Sequence, residues 1–100
     1  MLTTRHTQRL ETAYQDALQL SVWRVNGIIP SRRYAAIYGI TQNRYENAIG
    51  LLRMARIIER HRTWVIEDLS LIKAWLKNAK QYASEVPEAY YARLNEHAKS

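Results

Sequence analysis

The sequence predicts a mainly α-helical fold with one small β-hairpin. Apolar residues recur at three- and four-residue steps along most of the chain, which is typical of amphipathic helices. Two short runs of β-branched and aromatic residues, 57–60 and 63–66, interrupt this pattern and flank a tip at His61-Arg62. Since 47% of the 100 residues are apolar, the chain can form the core of one small domain.

Residues 1–26 form the first predicted helix. Thr3 or Thr4 can cap its start, because a threonine oxygen accepts from a free backbone N–H of the first turn. The helix runs to about Val25, after which Asn26-Gly27 permits the left-handed conformation that ends many helices. We expect its apolar face to lie against the rest of the domain.

Residues 28–67 hold a short helix, a turn, a longer helix and the hairpin. Ser31 caps the short helix, and Gly39 makes the turn. Thr41 then caps the longer helix, which covers about 42–55. This order predicts a winged helix-turn-helix, a motif that usually places its second helix in the major groove of DNA.

Residues 68–99 predict a C-terminal helical hairpin that completes the single domain of residues 1–100. Asp68 or Ser70 starts the fourth helix, and Pro87 opens the fifth. Their apolar residues step by three and four, as in a short coiled-coil seam. We expect this seam to join two copies as a homodimer; the alternative is that both helices fold back onto the first helix and complete a monomer core. The predicted dimerisation residues are Ile72, Trp75, Ala79, Tyr82, Tyr90 and Leu94.

The net charge of +6 is confined to one part of the chain. Residues 1–23 and 63–100 each carry equal numbers of acidic and basic residues, whereas 24–62 carry eight Arg against Glu46 and Glu59. The planar guanidinium suits phosphate and guanine because it donates two hydrogen bonds at once. The excess favours double-stranded DNA as the partner over a merely solvated basic face.

The polar face of the third helix is the predicted reading surface. Gln and Asn side chains there can bind adenine bidentately, and Gly50 lets a backbone approach closely. Glu46 fits least well beside phosphate, although it can accept from cytosine or pair with an Arg such as Arg53. An ordinary amphipathic surface helix is the alternative. The predicted DNA-binding residues are Arg32, Arg33, Gln42, Asn43, Arg44, Asn47, Arg60, His61 and Arg62.

A longer pattern runs through residues 40–61, carried by Ile40, Thr41, Asn43, Tyr45, Ala48, Ile49, Leu52, Ile57, Ile58 and Arg60. It resembles, without a gap, the winged helix of the GntR family of bacterial repressors, roughly V-S-R-x-T-V-R-x-A-L-x-x-L-x-x-x-G-L-I-x-R. The chain departs from the family pattern at two positions: Arg56 replaces the usual Gly before the wing, and Glu46 replaces a residue that is frequently Arg. The resemblance implies DNA contacts by the wing and by Arg32, Gln42, Asn43 and Arg44.

No catalytic or metal-binding pattern accompanies the motif. The chain has no Cys, its three His are far apart, and there is no Gly-rich phosphate loop or acidic group with metal-ligand spacing. No apolar run approaches about 18 residues, and the N-terminus lacks a signal-peptide pattern. We therefore expect a cofactor-free, non-enzymatic protein without a membrane partner, in the cytoplasm of a prokaryotic cell or of the host of a phage or plasmid.

The function predicted from the sequence is sequence-specific binding of double-stranded DNA by a small, repressor-like transcriptional regulator. One alternative keeps DNA binding but assigns it to phage or plasmid replication, packaging or recombination. The other is a winged-helix protein-interaction module whose Arg-rich face docks an acidic partner and has no DNA role.

Overall fold

Five α-helices make up the fold in the computed structural model, which describes residues 4–99. Their ends lie close to the predicted ones, and the proposed cap at Thr3 falls outside the described residues. None of the five has the length and hydropathy needed to span a lipid bilayer. The helices are α1 (Thr4–Val25), α2 (Arg32–Ile37), α3 (Gln42–Met54), α4 (Leu69–Glu85) and α5 (Pro87–Lys99).

The core is built around α3. Helix α1 packs along one side of it and α5 along another, while α4 closes the bundle against α1. Burying one Leu or Ile side chain contributes about 1.5–3 kcal/mol, so a shared apolar cluster fixes these helices relative to one another. Its largest fully buried apolar side chains are Leu10, Leu20, Ile49, Leu51, Leu52, Ile57, Ile58, Ile72, Leu76 and Tyr90.

The connection from α2 to α3 forms as predicted. The Ser31 hydroxyl accepts from the Tyr34 amide at 3.0 Å and caps α2. Gly39 follows with φ +81°, a left-handed conformation that costs glycine little. The Ile40 amide then donates to the Ala35 carbonyl at 3.1 Å, and both residues are buried. The turn therefore anchors α2 to the core just before α3 begins.

The predicted β-hairpin is wrong, and with it the winged helix-turn-helix fold and the wing implied by the GntR resemblance. Residues 4–99 contain no β-strand, and the segment 57–66 holds one isolated bridge between Ile58 and Trp64. At the predicted tip, Arg60–Arg62 forms a 3-10 turn in which φ reaches 59° and 61° at two residues that are not glycine. The described fold is all-helical, with an irregular connection from α3 to α4.

Two features distinguish this segment from a regular hairpin. Ile57 and Ile58 are both buried, whereas consecutive side chains of a strand point to opposite faces. The Ile57 carbonyl also accepts from two successive amides, Val65 at 3.0 Å and Ile66 at 3.4 Å. Because one carbonyl serves two donors, the alternating ladder of an antiparallel pair does not extend beyond this point.

The last two helices fold back onto the same chain, which is the arrangement of the monomer-core alternative. Ile72, Ala79 and Tyr90 belong to the core cluster, and Leu94 packs against it. These four residues of the predicted dimer seam are therefore used within one chain. Dimerisation stays a prediction, with Trp75 and Tyr82 as the seam residues that are exposed, at 39% and 49%.

Candidate nucleic-acid interface

The first turn of α3 presents two exposed side-chain amides, those of Gln42 and Asn43. Thr41 fixes this end of the helix because its hydroxyl accepts from the Arg44 amide at 3.2 Å. The first backbone N–H groups of a helix have no intrahelical acceptor, and the helix dipole is positive there. Two of the predicted base-reading residues thus lie at an exposed end that attracts anions.

The second half of the predicted reading face is covered by α5. Asn47 is 7% exposed and Arg53 is 8% exposed. A Cβ built on Gly50 would lie 2.4 Å from the Leu94 Cδ2 atom, so this glycine admits α5 rather than a DNA backbone. Helical periodicity showed that this face is polar but carried no sign of the helix that covers it.

Arg44, a predicted DNA contact, is engaged within the chain. Its Nε donates to Asp16 Oδ2 at 3.0 Å, and its Nη2 donates to Asp16 Oδ1 at 2.7 Å. Its Nη1 donates to the Gly39 carbonyl at 3.3 Å. The Asp16 hydrogen bonds raise the pKa of Arg44 above its ordinary value. This side chain therefore acts as a clamp that joins α1, the turn and α3.

Glu46, the residue that fits least well near phosphate, has a cationic partner. Arg62 Nη2 donates to Glu46 Oε1 at 2.7 Å, and the Arg62 guanidinium lies 5.3 Å from the centre of the Tyr45 ring. The pair offsets the charge of Glu46 at the surface. A pairing with some Arg was one of two predicted roles for Glu46, and the structure supplies Arg62.

A cleft of about 540 Å³ lies along one side of the first two turns of α3. Arg32 reaches it from α2, and His61 and Arg62 reach it from the 3-10 turn. Arg33 and Arg60, which adjoin these residues in the sequence, are exposed. The fold thus brings basic side chains from two predicted segments to one side of α3, along Tyr45 and Ile49, even though no wing forms.

A groove of about 410 Å³ lies on the other side of α3, against α1. Arg5 and Arg9 of α1 line it together with Asn43 and Asn47 of α3. These two arginines do not stand out in the sequence, because the charges of residues 1–23 sum to zero. Their four-residue spacing, which puts both on one face of a helix, was the available signal.

The arginine excess of residues 24–62 divides into structural and exposed members. Arg24 forms an ion pair with Glu67, Arg44 pairs with Asp16, Arg62 pairs with Glu46, and Arg53 is buried. These four contribute to internal contacts, so the charge sum overstates what an external anion meets. The exposed members are Arg32, Arg33, Arg56 and Arg60.

In the described part of the chain, no cluster of three or more His, Asp or Glu side chains is placed to hold a metal ion.

Comparison with protein-family models, with curated proteins and with solved structures finds no match to this chain.

Proposed function

We propose that the protein binds duplex DNA in a sequence-specific way through the first turn of α3. The observation that carries this proposal is the pair of exposed amides at Gln42 and Asn43 in the first turn of α3. Arginine side chains line the clefts on both sides of this helix. Amide side chains can pair with the N6 and N7 edge of adenine. Guanidinium groups hold phosphates and so fix the orientation of a protein on the duplex.

The phosphate contacts on the α2 side would come from Arg32, Arg33, Arg60 and Arg62. Of these, Arg62 already donates to Glu46, so the exposed Arg32, Arg33 and Arg60 would be the main phosphate ligands. Because α5 covers the second half of the α3 face, reading by one copy is confined to the few base pairs that the first turn can reach. A small transcriptional regulator is the role that suits such a module.

The test begins with selection of bound sequences from random duplex DNA, followed by measurement of Kd for the selected and a random duplex. Asn43→Ala should weaken the selected duplex by about 1–3 kcal/mol, or roughly 5- to 150-fold, and leave the random duplex nearly unchanged. Asn78→Ala is the matched control, since this amide is exposed on α4 and should affect neither duplex. Equal losses on both duplexes for Asn43→Ala would make it a backbone contact.

Salt dependence tests the phosphate contacts separately. With about five phosphates neutralised, the slope of log affinity against log salt should be near −4.5. Absence of binding at low salt would contradict the proposal and favour the protein-interaction alternative.

A further inference from the structure

The groove between α1 and α3 carries two arginines, Arg5 and Arg9, that are not among the predicted DNA-binding residues. Arg5, Arg9 and Arg44 line it, and Asp16 is the one acidic residue among its lining side chains. Both oxygens of the Asp16 carboxylate accept hydrogen bonds from Arg44, at 3.0 and 2.7 Å. Arg44 and Asp16 neutralise each other, so the net charge of the groove is that of Arg5 and Arg9, about two positive units.

Arg9 is held in place rather than loosely solvated. Its Nη2 donates to Asn47 Oδ1 at 3.4 Å, and its guanidinium carbon lies 5.5 Å from the centre of the Tyr91 ring. The Arg9 guanidinium is thus oriented by Asn47 of α3 on one side and by Tyr91 of α5 on the other. An oriented guanidinium loses less conformational entropy on binding an anion than a free one does.

The fold also keeps the other acidic residue of α1 away from this groove. Glu11 forms an ion pair with Lys80 of α4 and accepts from Gln15. These hydrogen bonds lower the pKa of Glu11. The two acidic residues of α1 are thus each matched, by Lys80 and by Arg44, while Arg5 and Arg9 face the groove.

We propose that this groove binds a phosphate group, with Arg5 and Arg9 as the charged ligands and Gln8 and Thr12 as neutral donors. Paired guanidinium groups and short polar side chains suit a phosphate because they supply several converging N–H and O–H donors. The phosphate comes either from the DNA backbone next to the base edge at Asn43 or from a free phosphate-bearing molecule. The first source rests on the proposed function, and the second does not.

The experiment compares the full-length protein with Arg5→Gln/Arg9→Gln. Lys73→Gln/Lys77→Gln removes the same charge from exposed positions of α4 and serves as the matched control. Thermal unfolding first checks that each variant folds. Arg5→Gln alone provides a second variant, because it leaves the contacts of Arg9 with Asn47 and Tyr91 intact.

The first arm measures affinity for random duplex DNA over a series of salt concentrations. If one phosphodiester lies in the groove, the slope of the Arg5/Arg9 variant should be shallower than wild type by about 0.9, with a smaller change in the same direction for Arg5→Gln. The lysine control should keep the wild-type slope. The second arm titrates pyrophosphate without DNA and follows the amide signals of residues 5–12 by NMR, which should shift in wild type and not in the double variant.

A shallower slope supports the DNA backbone as the source of the phosphate. A second outcome is that wild type binds no DNA, whereas pyrophosphate still shifts the signals of residues 5–12 in wild type but not in the Arg5/Arg9 variant. This outcome would support the phosphate site and contradict the proposed function. If DNA binds with an unchanged slope and pyrophosphate shifts nothing in the groove, the phosphate site is overturned and the proposed function stands. If neither ligand binds, both fail.

Discussion

The two halves of α3 differ in what lies over them, although both carry polar residues on the same helical face. At the start of the helix, Gln42 and Asn43 are exposed, and clefts lined by arginines lie on both sides of α3. Later in the helix, Asn47 and Arg53 are buried, and Gly50 lies against Leu94 of α5. A polar helical face is thus not sufficient evidence of a binding surface, because a neighbouring helix with polar and aromatic residues can cover it.

The covering helix is held by one large side chain and one close approach. Tyr90 is fully buried in the core, and Leu94 lies against Gly50. If these contacts make the second half of α3 structural, variants there should change stability. Variants of Gln42 and Asn43 should change DNA binding with little effect on stability.

The largest expected effect concerns Arg44, which lies in the same turn as Gln42 and Asn43 but is paired with Asp16. Arg44→Ala removes the donors of Asp16, whose side chain is 7% exposed, and should lower the free energy of unfolding by about 2 kcal/mol. This loss of stability is smaller than the cost of breaking a fully buried ion pair, because the Arg44 side chain is 43% exposed. Urea unfolding measures it. Gln42→Ala is the control, with an expected change within about 0.5 kcal/mol.

If Arg44→Ala were as stable as Gln42→Ala but bound the selected duplex more weakly, Arg44 would be a DNA contact rather than a clamp.

The second prediction concerns alkaline stability and the anchor of α5. Burial raises the pKa of Tyr90 from its ordinary value of 10 to about 12. Between these values the unfolded chain loses the phenolic proton while the folded chain keeps it, so stability falls as pH rises. The loss at this site should reach about 1.4 kcal/mol by pH 11.

Tyr90→Phe should remove this loss, as measured by urea unfolding at pH 7 and pH 11. At pH 7 the variant should be at least as stable as wild type, because the buried Tyr90 hydroxyl has no hydrogen-bond partner within the described residues and its removal relieves a desolvation cost. An identical alkaline loss in wild type and Tyr90→Phe would mean that Tyr90 is not buried in solution and that α5 does not cover α3.

The smallest expected effect tests the approach of α5 to Gly50. Gly50→Ala gains about 0.8–1.0 kcal/mol of helix propensity. Its new Cβ would displace Leu94, and overpacking of this kind costs about 1–3 kcal/mol, so the net result should be a loss of about 1 kcal/mol.

In a Leu94→Ala background the same substitution should instead stabilise the protein by about 0.5–1 kcal/mol, because the obstructing side chain is gone. Thermal or urea unfolding of the four proteins in this cycle gives the coupling energy. Equal effects in both backgrounds would show that Leu94 does not lie on Gly50.

The helices could be predicted because their signals are local. Ser31, Thr41 and Asp68 each accept from amides of the first turn that follows, and Pro87 opens α5. The hairpin prediction failed because two β-rich runs show only local preference. Whether the side chains of Ile57 and Ile58 both enter the core depends on helices far away in the sequence.

The candidate site was predicted in part, for the same reason. Gln42 and Asn43 lie in the first turn, whose position the Thr41 cap marks in the sequence, and both side chains are exposed. The partners of the other residues come from distant positions: Asp16 for Arg44, and Arg9 for Asn47. The periodicity within α3 contains no information on these contacts. Arg44 and Asn47 were therefore predicted to bind DNA, although both form contacts within the chain.

The most direct test of the central claim is an NMR titration of the labelled protein with the selected duplex. The amide signals of Gln42 and Asn43, and of residues near Arg32, should shift as DNA is added. Signals of residues 88–94 in α5 should stay in place, because that helix covers the other half of α3. Shifts concentrated in residues 88–94, with Gln42 and Asn43 unchanged, would contradict the assignment of binding to the first turn.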